Sequence, residues 1–186
     1  MLRGSTRGVT PVVSEVLLIA VVVVVATTVS VFALGVGEET REPAPAVAQS
    51  SGTFVAFEDG SDEQIVRITH VAGDRIPISE LEVVVDATDA CGKAGRLVDL
   101  PVDGAGGNAI ADSNIDGDDI LDQRPPYLGG PDLGVLTGSS LAAGEYVGFR
   151  LSKGECLVEP GDEVVVRLVH APTDAVVVRE RLVADG

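Results

Sequence analysis

Val16 to Gly37 is a run of 22 residues without a charge. No other feature so limits what the chain can fold into. As a helix rising 1.5 Å per residue it reaches about 33 Å, enough to cross the hydrocarbon core of a bilayer. Val21 to Val25 is unbroken valine, a weak helix former in water. In lipid the backbone must satisfy its own hydrogen bonds, so a helix is expected there. Arg3 and Arg7 precede the run, and Glu38, Glu39 and Glu42 follow it. The positive-inside bias then puts the N-terminus in the cytoplasm and residues 38–186 outside, on a single-pass membrane protein. A secretory signal has a shorter apolar core and small residues at a cleavage site behind it. This run is longer, with Pro11 ahead of it, although the small residues of "LGVGEETREPAPAVA" leave cleavage after the run as an alternative.

Charge bounds the rest. The chain carries a formal −16, divided as +1 on residues 1–37 and −17 on residues 38–186. Such a surface repels nucleic acid, whose binding depends on Lys and Arg neutralising phosphates. Hydrophobic residues nevertheless make up 45% of the chain, which argues for a folded acidic domain rather than disorder. Abundant carboxylate with only two lysines, Lys93 and Lys153, suits solubility in strong salt, where self-repulsion is screened. An ordinary acidic secreted domain is the plainer alternative.

Residues 38–52, "EETREPAPAVAQSSG", read as an extended Pro/Ala spacer. From residue 53 the pattern turns to β. Thr53–Phe57, "QIVRITHV", "LEVVVDA", "EYVGFRLS", "DEVVVRLVHA" and "AVVVRERLVA" are strand candidates bounded by Gly, Pro or Asp. "EDGSDE" is expected as a turn and "HAPTDA", residues 170–175, as a hairpin loop. The expected architecture for residues 53–186 is an all-β antiparallel sandwich, Ig-like in class. Residues 99–144 read as a long loop, an embellishment or a functional segment.

Cys91 and Cys156 are the only cysteines. Outside the membrane an even pair implies one disulfide, with two free thiols as the alternative. His70 and His170 end the similar strands "VRITH" and "VRLVH". A shared metal is one reading of that pair, and hydrogen bonding to adjacent turns is the other. "DSNIDGDDILDQ" places Asp112, Asn114 and Asp116 at alternate positions before Gly117, with Asp118 next. That is the first half of an EF-hand-type loop, whose hard oxygen ligands suit Ca²⁺. Gln123 stands where the bidentate Glu belongs, and an acidic loop holding no ion is the alternative. No nucleophile elbow, P-loop, zinc-protease or dinucleotide motif occurs, so neither an enzyme nor an organic cofactor is expected.

The sequence "RGVTPVV", running at once into a long apolar helix that ends "FALG", resembles the start of archaeal type IV pilins, those of haloarchaea in particular. The resemblance implies a leader, residues 1–8, ending at Arg7-Gly8, which a membrane-embedded prepilin peptidase removes ahead of the helix. Val9 would then open the mature chain, with Thr10 and Pro11 completing the recognised sequence. It implies that the helix, residues 9–37, is retained to pack against other pilin subunits, and that the protein is a subunit of a surface filament serving attachment. Val13-Ser14-Glu15 departs from the family's usual small apolar continuation, and Glu15 is expected at the headgroup level. "VRITHVAGDRIPISELEVVV" is similar to a phrase in the β-heads of haloarchaeal pilin-like proteins, through Thr69, His70, Gly73, Asp74, Ile76 and Leu81. A pilin-like protein serving another secretion machine, or a membrane-anchored β-domain that binds a ligand or partner and never polymerises, are the competing functions.

Overall fold

The computed structural model describes residues 9–36, 43–55, 64–127 and 132–184. The chain divides into two compact units, Met1–Glu42 and Pro43–Gly186. The first holds one helix, α1, Val9–Val36. Pro11 lies inside its first turn. A proline is tolerated there because the first N–H groups of a helix have no intrahelical partner to lose.

The second unit is built on β1 (Val47–Val55), β2 (Gln64–Gly73), β3 (Ile76–Pro77), β4 (Leu81–Ala87) and β5 (Lys93–Leu97). The strands that follow are β6 (Ile115–Gly117), β7 (Leu121–Asp122), β8 (Ser140–Leu141), β9 (Tyr146–Leu151), β10 (Glu163–His170) and β11 (Ala175–Val183). A single helical turn, α2 (Thr88–Cys91), joins β4 to β5. One sheet runs β1-β2-β9-β7 and the other β11-β10-β4-β5-β6, with β3 and β8 as a separate two-stranded ribbon. Every pairing is antiparallel. In immunoglobulin lettering these are A-B-E-D and G-F-C-C′-C″, the strand order of a variable-type domain. The chain has no tryptophan, and its disulfide does not join the B and F strands as it does in antibody domains.

Strict alternation explains how the layers meet. On β4, Leu81, Val83, Val85 and Ala87 are buried while Glu82, Val84 and Asp86 are half-buried on the outside. Val164, Val166 and Leu168 of β10 extend that apolar face. Val66 and Ile68 of β2, with Val147, Phe149 and Leu151 of β9, supply the opposing one. The sandwich closes along β1 and β11. There a Cβ on Gly52 would come within 2.5 Å of the Leu182 side chain and 3.0 Å of the Glu180 Cβ, so a larger residue would force these side chains to shift. The Ser50 hydroxyl also donates to the Glu180 carboxylate across this seam.

Two expectations are corrected. The first strand begins at Val47, so the last part of the expected spacer, 47–52, is paired sheet opposite Ile68–Gly73. Residues 99–144 are not a bare loop. They contain β6, β7, β8 and the one-turn helices Asp112–Asn114 and Val135–Thr137. Ile110, Ile120, Leu136 and Leu141 in this segment are fully buried in the core. The expected turn "EDGSDE" lies outside the described residues.

The edge strand β7 is held by charge. Asp122 lies 3.0 Å from the buried guanidinium of Arg150 on β9 and 2.9 Å from Arg124. Burial alone would raise the Asp122 carboxyl, but the hydrogen bonds from Arg124 and the charge of Arg150 outweigh it and hold the group below its ordinary 3.8. The hydroxyl of Thr88 does the same to Asp86, against the opposing effect of burial. Both carboxyls are depressed in the folded state. Their stabilisation is therefore complete above the ordinary carboxylate pKa and is lost as pH falls through the lower folded values. Asp122→Asn should destabilise the domain by about 3 kcal/mol at pH 7, because it strips a buried charge of a partner. It should also flatten the loss of stability between about pH 5 and 2. Urea unfolding across that pH range checks both.

Candidate functional site

The polymer-forming candidate is α1. Every residue from 12 to 30 is exposed, including the large apolar side chains from Val12 to Val29. Val12–Ser30 is long and apolar enough to cross a membrane. Its few hydroxyls are turned back on the helix. Thr27 donates to the Val23 and Val24 carbonyls, Thr28 to those of Val24 and Val25, and Ser30 to Ala26 at 2.8 Å. Such back-bonding leaves none of these three hydroxyls unsatisfied to oppose transfer into lipid or into a bundle of like helices. The expected processing residues divide at the helix start. Val9, Thr10 and Pro11 form its first turn, while Arg7 and Gly8 lie outside the described residues. Glu15 is helical and exposed, one turn inside the helix start.

In the head, α2 and the β9–β10 crossover are joined. Cys91 and Cys156 form a disulfide with Cα atoms 5.4 Å apart, closing 65 positions of chain. Its other anchor was not legible in the sequence. Gln64, at the start of β2 and fully buried, donates from Nε2 to the Cys156 carbonyl at 2.7 Å. The same amide accepts the Val158 N–H at 2.6 Å. The crossover is therefore tied covalently to the five-stranded sheet and by a two-point amide clamp to the four-stranded one.

The four residues of the calcium expectation are each engaged elsewhere. Asp112 bonds the Gln123 amide, and Asp116 pairs with Arg96 at 2.7 Å. Asp118 accepts the Ala94 N–H at 2.9 Å. Asn114 is buried and donates to the Val98 and Asp99 carbonyls, so its amide braces the β5–β6 connection. Among the described residues no three His, Cys, Asp or Glu side chains are grouped to hold a metal ion, so the motif's spacing does not become a ligand cluster. The histidines are likewise separate. His70 on β2 bonds the Asp74 carbonyl through Nε2 at 2.9 Å. His170 on β10 bonds Thr173 through Nδ1 at 2.8 Å and Glu80 through Nε2 at 3.1 Å. Each secures the turn beside its strand end.

The spacer's entry into the head is also fixed. Asp74 accepts the Ala46 N–H on its carboxylate at 3.0 Å and returns its own N–H to the Ala46 carbonyl at 2.9 Å. Gly73 beside it has φ +139°, and a Cβ there would lie 2.4 Å from that carbonyl.

An uncovered apolar helix at the N-terminus, joined to a β-sandwich, defines a membrane-associated protein with a separate head. Residues 7–48 match the family model described as archaeal type IV pilin, N-terminal, which takes in the Arg7-Gly8-Val9 junction, all of α1 and the spacer. The match identifies this segment as an archaeal type IV pilin N-terminal domain. No curated protein matches the chain. The family is one of structural subunits that associate with one another and with the membrane.

Reduction of the Cys91–Cys156 bond should lower head stability by about 4 kcal/mol in the loop-entropy account. Gln64→Ala should cost about 3 kcal/mol by leaving two buried backbone groups unpaired. Because both hold one crossover, the double change should cost less than the sum of the two. Urea titrations with and without reductant check this.

Proposed function

We propose that this chain is a structural subunit of an archaeal type IV pilus serving surface attachment. A prepilin peptidase cuts between Gly8 and Val9, the helix stays with the mature protein, and the acidic head lies outside the cell. The observation that carries the reading is the coincidence of the family match at residues 7–48 with a helix that begins at Val9. Cutting there removes Arg3 and Arg7, the cations that favour a cytoplasmic N-terminus. The remaining helix can leave lipid only if other apolar helices cover it, and a filament core of bundled copies supplies that cover.

N-terminal sequencing of the protein from cells should give a chain starting at Val9. A start within residues 38–52 would identify a secreted domain and end the pilin reading. Gly8→Asp should trap uncut precursor in the membrane. Ala26→Lys should allow cutting but exclude the subunit from sheared filaments, since a charge at the centre of a helix bundle costs several kcal/mol. Filaments lacking the protein altogether, with the head active at the membrane, would favour an anchored domain instead.

We also propose that the head is adapted to strong salt. Its melting temperature should rise between dilute buffer and molar KCl, because screening relieves the repulsion among its carboxylates. An unchanged midpoint, measured by thermal denaturation, would remove this part.

A further inference from the structure

Residues 43–186 hold 25 carboxylates against ten Lys and Arg, a net of −15, and this imbalance is not spread evenly. The strand register puts one row of side chains across the outside of the five-stranded sheet: Arg179 opposite Arg167, then Val84, Arg96 and Asp116. The next row contains Arg181, Val165, Asp86 and Ala94. With Glu82 and Glu163 on the same face, four of the head's ten cations meet four carboxylates there, and Asp174 acts on Arg96 at longer range. Among the described residues this face therefore carries little of the negative charge.

The pairing within the face leaves cationic capacity over. Arg96 reaches Asp116 at 2.7 Å and Glu82 at 3.7 Å, and Arg167 stands 3.7 Å from Asp86. Arg181 holds Glu163 but is 63% exposed. Arg179 is exposed and has no ion pair among the described residues; it acts on Asp86 only at longer range. Beside this row lies a shallow hollow of about 230 Å³, lined by Val84, Ala94, Gly95, Arg96, Asp116 and Gly117.

We propose that the outer face of the five-stranded sheet is the surface on which the head of a neighbouring copy of this chain docks. The inference rests on the filament reading above. Heads carrying −15 repel one another over most orientations, and the cost is lowest where a face rich in guanidinium groups, Arg179 exposed among them, meets a carboxylate-rich one. Subunits that follow one another along an open filament are related by a screw operation and not by a two-fold axis. The contact is therefore heterologous, with this face on one copy and a different, acidic surface on the next, as an open helical array requires. Arg179 and Arg181, on the outermost strand, supply the complementary charge, and the valine centre supplies surface that loses little on leaving water.

The test uses the full-length protein in two states, sheared filaments and subunits dispersed from them in detergent. Each is treated with phenylglyoxal, and the modification of each arginine is followed by mass spectrometry. Arg179 and Arg181 should react roughly fivefold or more slowly in filaments than in dispersed subunits, as side chains withdrawn from solvent at an interface do. Arg179→Glu, which breaks no ion pair within the head, should leave cutting and membrane insertion intact. It should lower filament yield about tenfold by placing like charges together. Equal reactivity in both states would overturn the inference and leave a face turned outward, as one that binds an external anionic polymer would be. Wild-type yield from Arg179→Glu would overturn it equally. Both results leave the filament reading standing. Absence of the wild-type protein from any filament would remove that reading, and this inference with it.

Discussion

Everything about this chain follows from an apolar helix that is exposed along its described side chains. Residues 12–30 of α1 are exposed throughout, and the three hydroxyls among Thr27, Thr28 and Ser30 are satisfied by the helix itself. Its association with a neighbour is therefore non-directional. It depends on close packing of valines and small residues rather than on a polar code. Such a helix specifies that subunits come together and leaves little to say how they are oriented. In the proposed filament, orientation then falls to the head, where charge is unevenly placed.

The head solves a different problem, that of keeping a −15 domain folded. Its answer is a sandwich with a mostly apolar interior and a few buried polar groups, among them Gln64, Asn114 and the two histidines, that tie the structure together. Gln64 holds the crossover, Asn114 the β5–β6 connection, and the histidines the turns at their strand ends. Arg150 and Asp122 fix an edge strand only two residues long. Arg67, stacked 4.1 Å over the Tyr146 ring and paired with Asp132, does similar work on the outer face of the other sheet. Tyr146 also donates its hydroxyl to Asp132, and that bond raises its pKa above the ordinary value.

The longer strands were legible because their alternation is strict. "LEVVVDA" states its inner and outer faces outright, and "EVVVRLVH" does so through Leu168. What escaped the sequence is what needs a partner to exist. "VAQSSG" has little β-propensity, and it is strand only because β2 offers it an edge. Strands β6, β7 and β8, of two or three residues, are too short for any period to show. The aspartate spacing of 112–118 was legible as a pattern, yet its meaning depended on Asn114 pointing inward to two carbonyls. The arginine row is likewise invisible in the linear chain, since residues 96, 167, 179 and 181 become neighbours only through strand register.

The clamp between Ala46 and Asp74 bears on how the head carries tension. It fixes the chain's entry at the end of the sandwich where β2 finishes, whereas β11 ends, and the disulfide lies, at the opposite end. A pull between those ends runs along β1. The bonds between antiparallel strands lie across the strand direction, so such a pull loads the β1–β2 ladder in shear, many bonds together, instead of peeling them one at a time. The same attachment that locates the head on its spacer thus gives it the geometry of a mechanical coupling.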